Sequence, residues 1–220
     1  VLYNKCSVKR KKCLRYATIC SNAGFLGNPI AQGVFGMMGL TLASIYLIPQ
    51  RIMMWSEGVS VFTEAPTKKE MLKKIFTHPC IIACEIGIVL MLTGWRPPHF
   101  LEETITSVSN CNTAMSMLVI GMILADADPK TIIDKDVLFY TFIRLLIIPF
   151  CVFIPCWLLH TDSLVMGVSV ILAAMPAGAT TTILASKYDC EEEFSVKLVV
   201  FSTAASLITT PLWNMILLKF

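Results

Sequence analysis

Long stretches without a charged side chain set the class of fold that this chain can adopt. Residues 16–50, 104–125, 163–186 and 198–218 contain no Asp, Glu, Lys or Arg. An α-helix rises about 1.5 Å per residue, so roughly 20 apolar residues cross the hydrocarbon core of a bilayer. The strands of a membrane barrel would instead alternate polar and apolar residues. The sequence therefore predicts an all-α polytopic membrane protein and excludes an ordinary soluble globule.

The composition agrees with this class and narrows the possible partners. Hydrophobic residues make up 55% of the 220 residues and charged residues 15%, against about a quarter charged in a soluble domain. The net charge of +3 comes from basic residues that flank the hydrophobic runs, so it indicates a lipid bilayer and not a nucleic acid. The nine cysteines form no CxxC pair and no zinc-type cluster with histidine. We therefore expect no metal and no other cofactor.

Hydrophobic runs bounded by charge, glycine and proline predict seven membrane spans. A glycine-rich turn at Gly36 and Gly39 separates the first span from the second, and a basic segment separates the second from the third. The predicted spans are 16–36, 39–55, 79–95, 104–125, 137–159, 163–186 and 195–218.

Lysine and arginine in the loops predict the orientation. If residues 1–15 are cytoplasmic, fifteen of the eighteen basic residues fall on the cytoplasmic side, and only Arg96 and Lys219 fall outside. Cytoplasmic loops of membrane proteins carry an excess of Lys and Arg. The chain is therefore predicted to begin in the cytoplasm, to end outside, and to lie in the cell membrane.

Two of the spans are interrupted in their middle by glycine, proline and polar residues. The interruption of the first contains Asn22, Gly24, Gly27, Asn28 and Pro29, and that of the sixth is the run Met-Pro-Ala-Gly-Ala-Thr-Thr-Thr at 175–182. Proline lacks an N–H and clashes with the preceding turn. Non-helical backbone within a membrane survives only where it is buried in protein or lines a wet cavity. A simple kink would explain one such span, but two in matching places favour a built site.

The two broken spans occupy matching places in two inverted units. Each is followed by a span with one internal proline, Pro49 in the second span and Pro211 in the seventh. On the predicted topology the first span runs outward and the sixth runs inward. Paired broken helices in inverted repeats are typical of secondary transporters, whose site lies where the breaks meet. Half-helix N-termini at such a site present free N–H groups to an anion.

The residues of both breaks carry a resemblance to a known family. SNAGFLGNPI resembles the Asn-x-Gly-Phe-x-Gly-x-Pro segment of the auxin efflux carrier family, and MPAGATTTILASKY resembles that family's second crossover, with Ala177 where a second proline is common. The family includes plant PIN proteins and bacterial malate/malonate-type carriers. The resemblance implies a ten-helix transporter fold of two inverted repeats of five, with two crossing broken helices.

The same resemblance implies a division of the chain. Residues 1–55 would be the last two helices of the first repeat, 56–78 a cytoplasmic basic loop, and 79–220 the complete second repeat. The chain would then be N-terminally truncated, without the first three helices of the family.

The resemblance also implies the function and most of the candidate site. It implies a permease for small organic anions such as malate, malonate or auxin-like acids, with a proton or sodium as coupling ion and a homodimer as a possible assembly. The substrate-binding residues that carry over are Asn22, Gly24, Gly27 and Pro29 at one crossover, and Pro176 and Thr180 at the other. We add Asn28, Thr181 and Thr182, whose amide and hydroxyl groups could bind a carboxylate or cap the broken backbone.

Of the other functional classes, one alternative stays open. The chain has no zinc-protease, nucleotide-binding or hydrolase motif, so it is not predicted to be an enzyme. The rival interpretation is a seven-helix receptor or scaffold that binds without transport.

Charged side chains within the predicted spans provide the last candidates. Glu85 and Arg144 lie some six or seven residues from the cytoplasmic ends of the third and fifth spans. An ionisable group within the membrane is costly and often functional, which makes Glu85 a candidate for ion coupling. Both side chains could instead reach the end of a span, or could pair with each other.

Overall fold

The structure, a computed structural model, describes residues 6–54, 58, 60–62, 77, 79–125, 133–217 and 219. Most of the predicted basic loop 56–78 and the terminal Phe220 lie outside the described residues. The described helices are α1 (Val8–Ile19), α2 (Asn28–Met53), α3 (Pro79–Thr93), α4 (His99–Ala125), α5 (Lys135–Phe142), α6 (Ile148–Leu158), α7 (Ser163–Ala173), α8 (Thr180–Lys187) and α9 (Glu192–Leu217). Two π-helical turns, Ala23–Gly27 and Ile143–Ile147, lead into α2 and α6.

Three of these helical segments are long and apolar enough to cross a membrane. Within the described residues they are Ala23–Met53, Lys135–Leu158 and Glu192–Leu217. Large apolar side chains are exposed along the outer faces of several helices, for example Leu92 on α3 and Leu207 on α9. Such surface is unfavourable in water but matches lipid tails, which are as apolar as leucine. The predicted all-α polytopic membrane protein is confirmed.

A sharp corner in α2 separates the first two predicted spans. Gly36 has φ +66° and ψ −158°, outside the helical region, and a Cβ on Gly39 would lie 2.6 Å from the carbonyl oxygen of Ala31. Residues eight apart in a straight helix lie about 12 Å apart along the axis, so the chain bends strongly between them. Glycine is needed at 36 for its positive φ, and at 39 because any side chain would meet backbone. The predicted glycine turn is confirmed.

A proline shapes the helix formed by α5 and α6. Pro149 cannot donate to the carbonyl of Leu145, four residues earlier, and the turn before it is widened into a π-helical turn. The Nε1–H of Trp213 donates to the Leu145 oxygen at 2.9 Å. Proline leaves the Leu145 carbonyl without a helical partner. Its hydrogen bond with Trp213 connects α9 to the helix formed by α5 and α6.

Two buried apolar clusters lie on opposite sides of the breaks. One gathers side chains of α1, α5, α8 and the first half of α9, and the other gathers side chains of α2, α7 and the second half of α9. Helix α1, the first half of the first broken span, therefore packs with α8, the second half of the sixth. Helix α7, the first half of the sixth span, packs with α2, the second half of the first. This is the packing of two helices that cross at their breaks.

The first broken span differs from the prediction in its limits. Its first half, α1, begins at Val8 and not near residue 16, and the helix is interrupted at 20–22 and not at Gly27–Pro29. Charged residues are unfavourable in the hydrocarbon core but are compatible with a helix. Hydropathy alone therefore did not predict the basic turns of α1. Pro29 lies instead directly after the π-helical turn Ala23–Gly27, where it cannot donate to the carbonyl of Phe25, four residues earlier, just as Pro149 cannot donate to that of Leu145.

Candidate substrate site at the crossover

The two broken spans meet backbone to backbone. Ser21 and Ala177 form an isolated antiparallel bridge, and the N–H of Asn22 donates to the Pro176 carbonyl at 2.8 Å. Buried backbone groups need hydrogen-bond partners, and here each break supplies partners for the other. The predicted meeting of the breaks is therefore present, with residues 20–22 and not Gly27–Pro29 as the first partner.

Gly178 allows the close approach of the two breaks. Its N–H donates to the Cys20 carbonyl at 3.2 Å, and a Cβ at this position would lie 3.2 Å from that oxygen and 3.3 Å from the oxygen of Ser21. On the other side, the N–H of Ala177 donates to Ser202 Oγ on α9 at 3.1 Å. The second break is thus held from both faces.

Arg144 holds the carbonyl ends of both breaks. Its Nε–H donates to the Met175 oxygen at 2.9 Å and its Nη1–H to the Thr18 oxygen at 3.1 Å, while only 5% of the residue is exposed. The last carbonyls of a helix lack helical partners and carry partial negative charge, which a guanidinium satisfies well. Tyr140 supplies a further bond, from its hydroxyl to the Ala17 oxygen at 2.9 Å.

The two charged side chains within predicted spans, Arg144 and Glu85, have different surroundings in the structure. Arg144 is buried at the crossover, so it neither reaches the end of a span nor pairs with Glu85, because its hydrogen bonds go to backbone carbonyls. The structure places Glu85 on α3 with an exposed side chain, outside the walls of the crossover cavity described next. Its role in ion coupling stays a prediction.

A cavity of about 220 Å³ lies beside the junction of the breaks. Its walls come from the first break, the end of α2 and the start of α8, and consist of Ser21, Asn22, Gly24, Phe25, Leu47, Gln50, Arg51, Met54, Gly178, Ala179 and Thr180. Three of the predicted site residues, Asn22, Gly24 and Thr180, are among them. The Asn22 side chain is almost fully buried, and its Nδ2 has no acceptor among the described residues.

The other predicted site residues have different surroundings. Gly27 packs against α7, because a Cβ there would lie 2.6 Å from Leu172 Cδ2. Pro176 takes part in the junction through its carbonyl, and Thr182 Oγ1 donates to the Ala179 oxygen at 2.7 Å, which is a local backbone bond. Those that do not line the cavity are Gly27, Asn28, Pro29, Pro176, Thr181 and Thr182.

Sequence reasoning missed Gln50 and Arg51, which follow Pro49 near the end of α2. Gln50 Nε2 donates to the Ser21 carbonyl oxygen at 3.1 Å and to its Oγ at 2.9 Å. A carbonyl only accepts, so this contact fixes the amide orientation and leaves Gln50 Oε1 buried without a donor among the described residues. The available signal was a charge directly after the longest uncharged stretch, 16–50.

Comparison with known proteins gives matches to membrane transporters. The profile of the family described as "Membrane transport protein" matches residues 63–214. The chain is 27% identical over 206 residues to an uncharacterized transporter of Methanothermobacter thermautotrophicus, covering 93% of the chain and 67% of that relative. It is 24% identical over 207 residues to the uncharacterized transporter MJ1031 of Methanocaldococcus jannaschii, with 92% and 67% covered.

A bacterial protein is also similar to most of this chain. The chain is 21% identical over 202 residues to the uncharacterized transporter YfdV of Escherichia coli, covering 86% of the chain and 63% of that relative. The chain thus spans about two thirds of the length of the curated relatives it matches.

Proposed function

The chain belongs to the membrane transport protein family, that of the auxin efflux carriers, and we propose from this premise that it is a secondary transporter of small organic anions. The proposed substrates are carboxylates of the malate, malonate or auxin-like class. Transport of this kind requires no covalent step.

The observation that carries this proposal is the junction of two helix breaks beside a cavity. Residues 20–22 and 176–178 are non-helical, yet they lie in segments enclosed by the apolar clusters. Unwound backbone in a membrane is tolerated where it is buried in protein or lines a cavity, and transporters place substrate at such points. A kink in a single helix would not account for two breaks that bond to each other.

The polar groups around the cavity support an anionic substrate. The Asn22 amide and the start of α8 at Thr180 both border the space. Buried N–H donors and the positive end of a helix dipole favour negative charge. A carboxylate is an acceptor with several lone pairs, so it suits a wall rich in donors.

The arrangement of the whole protein is part of the proposal. We place residues 1–55 in a first inverted repeat and 79–220 in a second, with a cytoplasmic loop 56–78 between them, in the cell membrane. The membrane potential, a proton or a sodium ion would drive movement, and the protein could act as a homodimer.

Counterflow in proteoliposomes tests this function. The protein, purified with its native flanking sequence, should exchange labelled malate, malonate or indole-3-acetate, and Asn22→Ala should weaken binding by about 10- to 150-fold, as for a lost charge-assisted hydrogen bond. The N–H that Asn22 donates to Pro176 is backbone, so alanine keeps the junction and removes only the amide. Pro176→Ala restores an N–H within the break and should impair transport more than folding.

Asn110→Ala is the matched control, because Asn110 is exposed on α4 away from the cavity. Its transport should equal that of the wild type. Binding of a carboxylate without any exchange would favour the receptor or scaffold instead. Unchanged dissociation constants in both the Asn22 and Pro176 variants would remove the crossover as the site.

A further inference from the structure

A guanidinium that has no ionic partner among the described residues borders the crossover cavity. Arg51 lies near the end of α2, and its Nη2 is 3.1 Å from the position that a Cβ on Gly24 would take, so it lies directly against the first break. The ion pairs that the described residues form lie elsewhere, and none includes Arg51. The part of the cavity wall that the structure describes contains no Asp, Glu or His. The cavity is therefore positively charged.

A second observation in the same cavity points to a ligand. Asn22 Nδ2 is a buried donor without an acceptor, and Gln50 Oε1 is a buried acceptor without a donor, among the described residues. Unsatisfied buried polar atoms are costly unless a ligand or water completes them. The volume of about 220 Å³ lies below the range of roughly 300–1,000 Å³ that suits drug-sized ligands. The complementary ligand is thus a small anion with acceptor oxygens for Asn22 Nδ2 and with a donor, its own or that of a water molecule, for Gln50 Oε1.

We propose that Arg51 recognises the charge of the substrate by binding its carboxylate, and that this pairing makes the protein an exchanger. The inference rests on the proposed function and adds a residue and a mode of transport to it. A guanidinium offers a planar fork that matches a carboxylate with two parallel hydrogen bonds. With a monocarboxylate bound, the site is neutral.

The empty site has a different charge. A guanidinium stays protonated in proteins, so without substrate the cavity keeps one positive charge that must cross or face the membrane interior alone. Unpaired charge within a bilayer is expensive. A site loaded with a monocarboxylate should therefore change its orientation faster than the empty one, and exchange of a monocarboxylate such as indole-3-acetate should be faster than its net efflux.

Paired charged and uncharged probes test the role of Arg51. Binding of indole-3-acetate is compared with that of indole-3-acetamide, and binding of malonate with that of malonamide, in the wild type, Arg51→Gln and Arg51→Lys. Wild type should prefer the acids by about 10- to 150-fold, Arg51→Gln should abolish the preference, and Arg51→Lys should restore part of it. In proteoliposomes, the excess of exchange over net efflux should fall in Arg51→Gln. Arg96→Gln, at an exposed arginine in the loop after α3, should match the wild type.

The outcomes separate the two proposals. An acid preference that persists in Arg51→Gln, or an equal loss of acid and amide binding, overturns the role of Arg51 while carboxylate transport still upholds the function. Exchange no faster than net efflux in the wild type overturns the exchanger mode. Absence of both binding and transport for every acid overturns the function and the inference together. The uncharged probes and the Arg51→Lys variant show whether a loss of binding reflects misfolding.

Discussion

A single buried cation at the crossover satisfies two helix ends at once. Arg144 donates to a carbonyl of each broken span, at Thr18 and Met175. The two breaks also bond to each other, so this side chain fixes both their geometry and their separation. Carbonyl ends therefore meet Arg144, while the start of α8 meets the cavity that contains Arg51. The negative helix ends are thus matched by Arg144, whereas the positive start of α8 and Arg51 both face the cavity, where only an anion would match them.

Removal of Arg144 should destabilise the fold more than it alters selectivity. In Arg144→Met both carbonyls lose a charge-assisted bond, each worth about 1.5–3 kcal/mol, and the melting temperature falls by roughly 2–4 °C per kcal/mol. Arg144→Lys keeps the charge without the fork and should be intermediate. Tyr140→Phe loses one neutral bond to Ala17 and should lose only about 0.5–1.5 kcal/mol. Thermal unfolding in detergent measures the series, and equal melting temperatures for Arg144→Met and Tyr140→Phe would contradict this role.

Local sequence pattern identified part of the site and missed the rest for a physical reason. Asn22, Gly24 and Thr180 were predicted because the two broken segments in which they lie resemble the crossovers of a known family. Arg51 and Gln50 come from the next predicted span, and the corner at Gly36 brings that span back against the first break. Such a tertiary relation leaves no trace in local periodicity. The charge of Arg51 was read as a topology signal, although the structure places it at the cavity.

At the scale of elements, an ionic cluster ties the start of α1 to two other segments. Arg10 bonds the carboxylates of Glu191 at 2.9 Å, Asp134 at 3.1 Å and Asp136 at 3.4 Å. Ser7 caps α1 and also donates to Glu191 at 2.8 Å. The cluster joins α1, the start of α5 and the loop between α8 and α9. Both broken spans are therefore connected at this end as well as at their junction.

The cluster predicts a small, salt-sensitive and pH-independent contribution to stability. Hydrogen bonding to Glu191 and the charge of Asp134 raise the pKa of Arg10 above its ordinary value. A raised pKa of a basic group adds stability that is fully present below the unfolded-state pKa, which for arginine lies far above neutral pH, and is lost only above it. Arg10→Gln should therefore lower the free energy of unfolding by the same amount at pH 6.5 and pH 9, about 0.2–1 kcal/mol per partly exposed pair.

Salt and a neighbouring lysine provide the checks on Arg10. The loss in Arg10→Gln should shrink in 0.5 M salt, because screening weakens partly exposed pairs in the wild type. Lys9→Gln is the matched control, since its pair with Asp189 is largely exposed and should contribute nothing measurable. An Arg10→Gln effect that grows between pH 6.5 and pH 9 would show that another titrating group controls the contact.

The same elements show how far sequence predicts the fold. Uncharged length and glycine or proline punctuation predicted helices at each of the seven spans, and described helices lie in each of them, with interruptions at 20–22 and 174–179. The beginning of α1 at Val8 was not predictable from hydropathy, because its turns carry several basic residues. The turns of α1 are stabilised by tertiary contacts. Leu14 and Tyr16 are buried in the core, and Arg10 forms ion pairs with carboxylates that are distant in the sequence. Hydropathy indicates whether a segment lies in lipid or in water, whereas the residues at which a helix begins and ends also depend on tertiary contacts.

For the whole molecule, the distribution of basic residues predicts the orientation in the membrane. On the predicted topology, fifteen lysines and arginines, Arg51 included, fall on one side and two on the other, and such an excess favours the cytoplasm. The predicted alternation of spans across the membrane makes the two broken spans run in opposite directions. The antiparallel bridge between the breaks agrees with opposite directions. A change in the side of one loop would therefore alter the repeat assignment together with the topology.

Single cysteines on a background without the native nine test this orientation. Lys69→Cys in the basic loop and Lys135→Cys at the start of α5 should react with a membrane-impermeant maleimide only after the cells are permeabilised. Arg96→Cys and Phe220→Cys should react in intact cells, because they lie on the side with few basic residues. Val8→Cys, exposed at the start of α1, should react only after permeabilisation, as an independent test in the segment proposed as the first repeat. Labelling of Lys69→Cys in intact cells would place the central loop outside, and the two broken spans would then run opposite to the directions that the charge pattern requires.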